Sequence, residues 1–259
     1  MLPFLNIFGL KIPAYGFLMM LGFMTSAFIS ARRTKNRGYC VENLIIMGAF
    51  IVGFAMLGGS VLFLAVTYSW SEIWTFIKAG EFDLLFGGIV FYGALIGGVI
   101  GGIVGCRVAK EKPKPYVDIV VPTIPLGHAL GRVGCFCAGC CYGAPTEGPL
   151  GVIYKNPIGG APTGIPLLPV QLFEAAGDIV IFGVLMLVSK KSKNPYATAY
   201  VYCRLYGVLR FVLEYFRYDS IRGHALGIST SQWISIGLIA GAAIVLTVTT
   251  VLKKKKENA

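Results

Sequence analysis

The sequence predicts an all-α polytopic membrane protein of about seven transmembrane helices, with its N-terminus outside and its C-terminus in the cytoplasm. Three observations predict it. The chain of 259 residues is 56% apolar and only 14% charged, where a soluble domain carries about 25% charged residues. Its mean hydropathy is +0.72. The apolar residues fall into runs near 14–31, 43–66, 87–107, 116–136, 168–188, 196–216 and 230–252, each close to the ~20 residues that cross a hydrocarbon core. This composition excludes a soluble globular domain and a disordered chain. No nucleic-acid partner is expected, because a net charge of +11 has a membrane explanation first.

That explanation lies in where the charge sits. Basic residues follow alternate runs: Arg32, Arg33, Lys35 and Arg37 after the first, and Arg107, Lys110, Lys112 and Lys114 after the third. Lys190, Lys191 and Lys193 follow the fifth, and Lys253 to Lys256 the seventh. Fifteen of the 23 basic residues therefore share one side. The other side keeps Lys11, Lys78, Lys155, Arg217 and Arg222, and Arg132, Arg204 and Arg210 fall inside runs. Cytoplasmic loops collect Lys and Arg, so the side rich in them is inside. The first run is expected to remain as a span, since its basic cluster follows the apolar stretch instead of preceding it. The whole chain, 1–259, is expected to be one integral membrane domain.

Between the second and third spans, Trp70, Ile73, Trp74 and Ile77 recur at i, i+3, i+4 and i+7 within residues 67–85. This spacing predicts a helix with one apolar face, lying in the outer interface. In the third span Gly93, Gly97, Gly101 and Gly105 recur every four residues, a stripe along which another helix can approach closely. Tyr92 beside it carries a hydroxyl that needs a partner at membrane depth. The fourth span is the weakest, with Asp118, Pro122, Pro125, His128 and Arg132 inside it. Residues 137–167 then form a small extracytoplasmic head.

Ionisable side chains inside a membrane cost at least about 2.5–3.5 kcal/mol each, so they are candidates for function. One cluster is His128 and Arg132, four residues apart on a shared helix face, with Gly127, Gly131 and Gly134 thinning the same region. The other is Arg210, Glu214 and Arg217 at i, i+4 and i+7. Two arginines near the outer leaflet point to a phosphate, whose oxygens the guanidinium fork binds bidentately. In a membrane the natural phosphate is a phospholipid headgroup. His128 is placed to act as a general base, and an Arg210–Glu214 pair also has a purely structural reading. The four cysteines Cys135, Cys137, Cys140 and Cys141 lie within seven residues. Cys137 and Cys140 have a zinc-knuckle spacing, but no second pair accompanies them. A disulfide, a nucleophile and apolar packing stay open, and neither a metal nor an organic cofactor is expected.

At these residues the chain resembles the prolipoprotein diacylglyceryl transferase family of bacterial inner-membrane enzymes. The likeness is carried by Ile12-Pro13-Ala14-Tyr15-Gly16, by Gly87-Gly88 with Phe91-Tyr92-Gly93, and by Gly131-Arg132-Val133-Gly134 with Tyr142-Gly143. Further along it is carried by Val170-Gln171-Leu172-Phe173-Glu174, by Arg210-Phe211 with Glu214 and Arg217, and by Ser231-Gln232. The resemblance implies transfer of a diacylglyceryl group from phosphatidylglycerol to a prolipoprotein cysteine thiol, with release of glycerol phosphate. It implies catalytic roles for Arg132, Arg210 and Glu214, to which the reading of the residues adds His128 as base. It implies substrate contacts at Tyr15, Tyr92, Gly131, Cys135, Gly143, Gln171, Arg217 and Gln232, and a multi-pass location in the cytoplasmic membrane. Where the family usually has His this chain has Tyr92. Cys135, Ala138 and Cys140 replace its Asn, Asn and Glu, and His128 is added. A glycan, a glycolipid or another lipid is therefore kept as an alternative acceptor. A nonenzymatic phospholipid-binding or transport protein is the alternative function.

Overall fold

Proline and glycine set the helix boundaries from the first element onward. In the computed structural model of the chain, all residues are described except 1, 2, 8, 82–86, 193, 219–223, 226, 258 and 259. Strands β1 (Phe4–Ile7) and β2 (Leu10–Pro13) form an antiparallel hairpin, turned at Gly9 with φ 83°. Helix α1 (Ala14–Asn36) starts directly after Pro13 and stops before Gly38, whose φ of 75° only glycine adopts freely. Next come α2 (Val41–Thr67), α3 (Trp70–Ala79) and α4 (Phe91–Val108). The broken pair α5 (Pro113–Val120) and α6 (Ile124–Ala138) is followed by α7 (Val170–Lys191), α8 (Ala197–Glu214) and α9 (Thr230–Glu257). Three two-stranded pairings complete the described elements.

A helix stands at each apolar run. Among the described residues, four segments are long and apolar enough to cross a membrane: Ala14–Asn36, Val41–Thr67, Pro113–Ala138 and Val170–Lys191. Two shorter apolar helices cover Tyr92–Val108 and Thr230–Leu246. Helix α8 falls outside both groups, and it carries Arg204, Arg210 and Glu214. The protein is thus mostly helical, as expected of an all-α membrane protein. Two expected spans are corrected in outline. The third begins at Phe91, because Gly87 to Val90 are not helical. The fourth is interrupted by a 3-10 turn at Val121–Thr123, where Pro122 and Pro125 each remove a backbone donor.

The chain divides into two compact units, residues 1–30 with 117–259, and residues 31–116. In the unit of residues 31–116, α2 packs along the glycine stripe of α4. A Cβ at Gly93 would strike the Gly58 carbonyl, one at Gly97 the Phe54 carbonyl, and one at Gly101 the Phe50 carbonyl. Helix α3 is closed by a capping box between Ser69 and Glu72 and by Gly80 at φ 74°. Its Trp70 is 85% exposed and Trp74 57% exposed. The helix expected from the Trp70–Ile77 periodicity spans Trp70–Ala79; the remainder of the expected segment includes 82–85, outside the described residues. Tyr92 is half-buried on α4.

In the other unit, α1 crosses α6 closely at Gly22 and Gly127. Ser26 Oγ donates to the Thr123 carbonyl at 2.9 Å, and Ser30 meets the Thr123 hydroxyl at 3.0 Å. These bonds tie α1 to the 3-10 turn between α5 and α6. Helix α6 packs against α7, α7 against α8, and α8 against α9. Residues 137–167 fold over a small core of Tyr154, Ala161 and Leu167, flanked by Phe136 and Tyr142.

The glycine stripe gives a contrast that purified protein can show. Gly97→Ala, which forces a Cβ into the Phe54 carbonyl, is expected to destabilise by roughly 1–3 kcal/mol. Gly98→Ala, whose Cβ would meet Ala55 and Ile51 at 3.8 Å, is expected to be neutral or slightly stabilising. Unfolding curves in detergent measure both.

Candidate active site

Helix α7 places Gln171, Glu174 and Asp178 along one stripe at i, i+3 and i+7, and all three are buried to within 1% exposure. Helix α6 presents His128 and Arg132 towards that stripe, and α8 presents Tyr206 and Arg210. The spacing of four in each pair follows from 3.6 residues per turn, which returns the side chain to the same face.

Glu174 is the centre. Its Oε1 lies 3.0 Å from Arg132 Nη2 and accepts from the Tyr206 hydroxyl at 3.4 Å. Its Oε2 lies 3.7 Å from Arg210 Nη1. Arg210 Nη2 in turn meets Glu214 Oε2 at 2.7 Å and donates to Ser231 Oγ at 3.3 Å. Ser229 Oγ donates to Glu214 Oε1 at 2.9 Å, and Gln232 Oε1 accepts from the Ser229 amide at 2.9 Å. Buried charges survive only when paired, since desolvation otherwise exceeds the gain.

His128 joins this network at its other end. Its Nδ1 is 2.8 Å from Asp178 Oδ2, and its Nε2 accepts from Arg132 Nε at 3.1 Å. An acceptor role at Nε2 assigns the neutral ring its proton on Nδ1, aimed at Asp178. The ring of Tyr206 stands edge-on to it with centroids 5.4 Å apart. With His128 neutral, three carboxylates face two guanidinium groups. The His128 side chain is 26% exposed, whereas those of Glu174 and Asp178 are 0%.

Further residues surround the ion cluster. Gly134 abuts Tyr15, to which a Cβ would come within 3.2 Å, and Gly131 abuts the Met19 sulfur. Gly143 bridges the backbone of Arg217 and donates its amide to the Leu168 carbonyl at 2.9 Å. Gln171 Nε2 donates to the Cys140 carbonyl at 2.7 Å and to the Tyr154 hydroxyl at 3.0 Å. Cys135, Cys140 and Cys141 bring their sulfurs within 4.8 Å of one another. Hydrogen bonding with Cys135 and Cys140, and then the charges of Arg217 and Arg132, pull the Cys141 thiol well below the usual thiol range. Sharing of protons with the same neighbours pushes the Cys140 thiol up.

His128, Arg132, Arg210 and Glu214 thus belong to one connected network, with Gln232 at its edge. Tyr15, Gly131 and Cys135 lie near the Arg132 end, and Tyr92 belongs to the unit of residues 31–116. Sequence reasoning missed Asp178, Tyr206 and Ser229, and quoted Glu174 and Ser231 without giving either a role. A signal was available for two of these. Glu174 and Asp178 are carboxylates inside an apolar run, four apart, and so as costly at membrane depth as the arginines.

A model of the prolipoprotein diacylglyceryl transferase family matches residues 3–248. The chain is 35% identical over 233 residues to a phosphatidylglycerol–prolipoprotein diacylglyceryl transferase of Clostridium tetani, covering 89% of this chain and 90% of that protein. It is 34% identical over 257 residues to the enzyme of that name numbered 2 in Clostridium perfringens, covering 98% and 96%. A Finegoldia magna protein of the same name is 31% identical over 242 residues, covering 92% of each.

Removing the central carboxylate leaves two arginines short of a counter-charge. Glu174→Ala is expected to cost roughly 3–5 kcal/mol, the range for breaking a buried ion pair from one side. Glu147→Ala, at an exposed position, is expected to stay within about 0.5 kcal/mol. Denaturant titration of the two variants compares them.

Proposed function

The chain belongs to the prolipoprotein diacylglyceryl transferase family, and we propose that the ion network on α6, α7 and α8 is its active site. The activity is transfer of a diacylglyceryl group from phosphatidylglycerol to a prolipoprotein. The observation that carries the site assignment is the convergence of Arg132 and Arg210 on one buried carboxylate, with donors to spare. Arg210 Nη1 is buried without a hydrogen-bond partner and Glu174 is 3.7 Å away. Each guanidinium offers five N–H donors, so pairing with Glu174 does not exhaust them.

In the reaction the acceptor sulfur forms a bond to the glyceryl carbon, and the bond from that carbon to the phosphate oxygen breaks. The thiol proton goes to a base, and glycerol phosphate leaves with the electron pair. Negative charge grows on the departing phosphate, and preorganised cations contribute most where charge develops. Arg132 and Arg210 supply them, and Glu174 and Glu214 hold the two arginines in place. His128 is the base. Asp178 fixes its proton on Nδ1 and stabilises the imidazolium formed. Nε2 becomes available once phosphate draws the Arg132 Nε–H away from it. Tyr15, Gly131, Cys135, Gly143 and Arg217 contact substrate, while Gln171 and Gln232 position the neighbouring loops. Prolipoprotein is the acceptor that the relatives' names support.

The chain forms a single membrane domain of seven spans in the bacterial cytoplasmic membrane, with the N-terminus outside, the basic loops inside and residues 137–167 as the outer head. The alternating charge supports this orientation.

Arg132→Ala and Arg210→Ala are each expected to lower release of glycerol phosphate from headgroup-labelled phosphatidylglycerol by ~100-fold or more, in protein that still folds. Near-normal release by both would sink the assignment. His128→Asn and Asp178→Asn are expected to slow the peptide-dependent step while lipid binding persists, as a donor-exchange assay reads. For orientation, reporter fusions after Gly38 and after Lys191 are expected to report cytoplasm, and one after Gly148 the outside.

A further inference from the structure

The spacing of the cysteines pairs Cys137 with Cys140, but folding selects a different set. Cys135 lies on the buried face of α6, and the helix closes at Gly139 in the left-handed conformation with φ 74°. The chain then reverses, so that the Cys140 amide donates to the Cys135 carbonyl at 3.1 Å. Cys141 itself takes a φ of 59°, a conformation that costs a non-glycine residue and persists only where its surroundings impose it. The turn is held from outside. Gln171 grips the Cys140 carbonyl. The amides of Ile158 and Gly159 both reach the Ala138 carbonyl at 2.9 Å, and that of Ala161 reaches the Gly139 carbonyl at 3.0 Å.

The result is three free thiols whose sulfurs all lie within 4.8 Å of one another. Zinc–sulfur bonds of about 2.3 Å set in a tetrahedron put sulfurs roughly 3.8 Å apart, so small rotations about the Cα–Cβ bonds complete the geometry. We propose that Cys135, Cys140 and Cys141 bind a thiophilic cation of the zinc class through three thiolates, leaving a fourth coordination position open. Three thiolates and one divalent cation carry a net charge of −1, and the two arginines that act on Cys141, Arg217 and Arg132, offset it. Cys137 is not a member of the set, because two residues along a helix turn it by about 200° away from Cys135.

The test uses full-length protein, purified in detergent under reducing, metal-free conditions, with neither donor lipid nor acceptor present. Its outcome is therefore independent of the transferase assignment. Zinc is added, unbound metal is removed, and metal per chain is measured by mass spectrometry; cobalt is added in parallel and its sulfur-to-metal charge-transfer band recorded. One metal per chain is expected, with a thiolate band. Cys135→Ser, Cys140→Ser and Cys141→Ser are each expected to lower occupancy by about tenfold or more at limiting metal, whereas Cys137→Ser and Cys203→Ser retain it. For the unaltered chain, zinc is expected to protect Cys135, Cys140 and Cys141 from maleimide, as peptide mapping reads; this arm needs no variant to fold. Sub-stoichiometric metal without protection overturns the proposal. So does occupancy that depends on Cys137, or a disulfide within the trio that persists under reduction.

Discussion

Glu174 is a carboxylate with no exposed surface, placed in an otherwise apolar helix, and the surrounding architecture follows from keeping it charged. A lone carboxylate at that depth would cost several kcal/mol, so its position requires cations from neighbouring helices. Arg132 on α6 and Arg210 on α8 provide them from opposite sides. Each arginine brings a further carboxylate or imidazole with it, and the network extends to Asp178 through His128 and to Ser229 through Glu214. Three helices are thereby fixed in register by charge as well as by packing. In the proposed reaction the same arrangement places guanidinium donors beside a developing anion, so the residues that keep Glu174 charged are also those assigned to transfer.

Close packing elsewhere depends on the absence of side chains. Helix α4 meets α2 across glycines whose missing Cβ atoms admit the Gly58, Phe54 and Phe50 carbonyls. In lipid no hydrophobic gain drives two apolar helices together, so contact area and backbone approach decide the association. Helix α1 uses the device against α6, at Gly22 with Gly127 and again where Gly134 meets Tyr15, and adds hydroxyl bonds from Ser26 and Ser30. Both hydroxyls meet Thr123, Ser26 at its carbonyl and Ser30 at its hydroxyl, in the 3-10 turn that interrupts the span.

Much of the molecule was readable in order along the chain. The charge repeat runs along the whole chain, while the four-residue glycine repeat and the Trp70–Ile77 periodicity each rest on a single helix. The pairs His128–Arg132 and Arg210–Glu214 were readable for the same reason, since four residues close one helical turn. The contact of Arg132 and Arg210 with Glu174 joins residues far apart in sequence, and Asp178 matters only because His128 faces it. Cys135 replaces Cys137 in the thiol group because the helix ends at Gly139 and the chain turns back, which spacing alone does not show.

By itself, then, the amino-acid order determined the membrane setting, the helical class, the glycine contact face and the side-chain pairs that share one helix face. These follow from solvation cost and helical period, both properties of a residue and its near neighbours. Tertiary structure decided which charges pair, which nitrogen of His128 is held by Asp178, and which three thiols meet. Those outcomes depend on side-chain distances of a few ångströms across helices, and only the packed chain sets such distances.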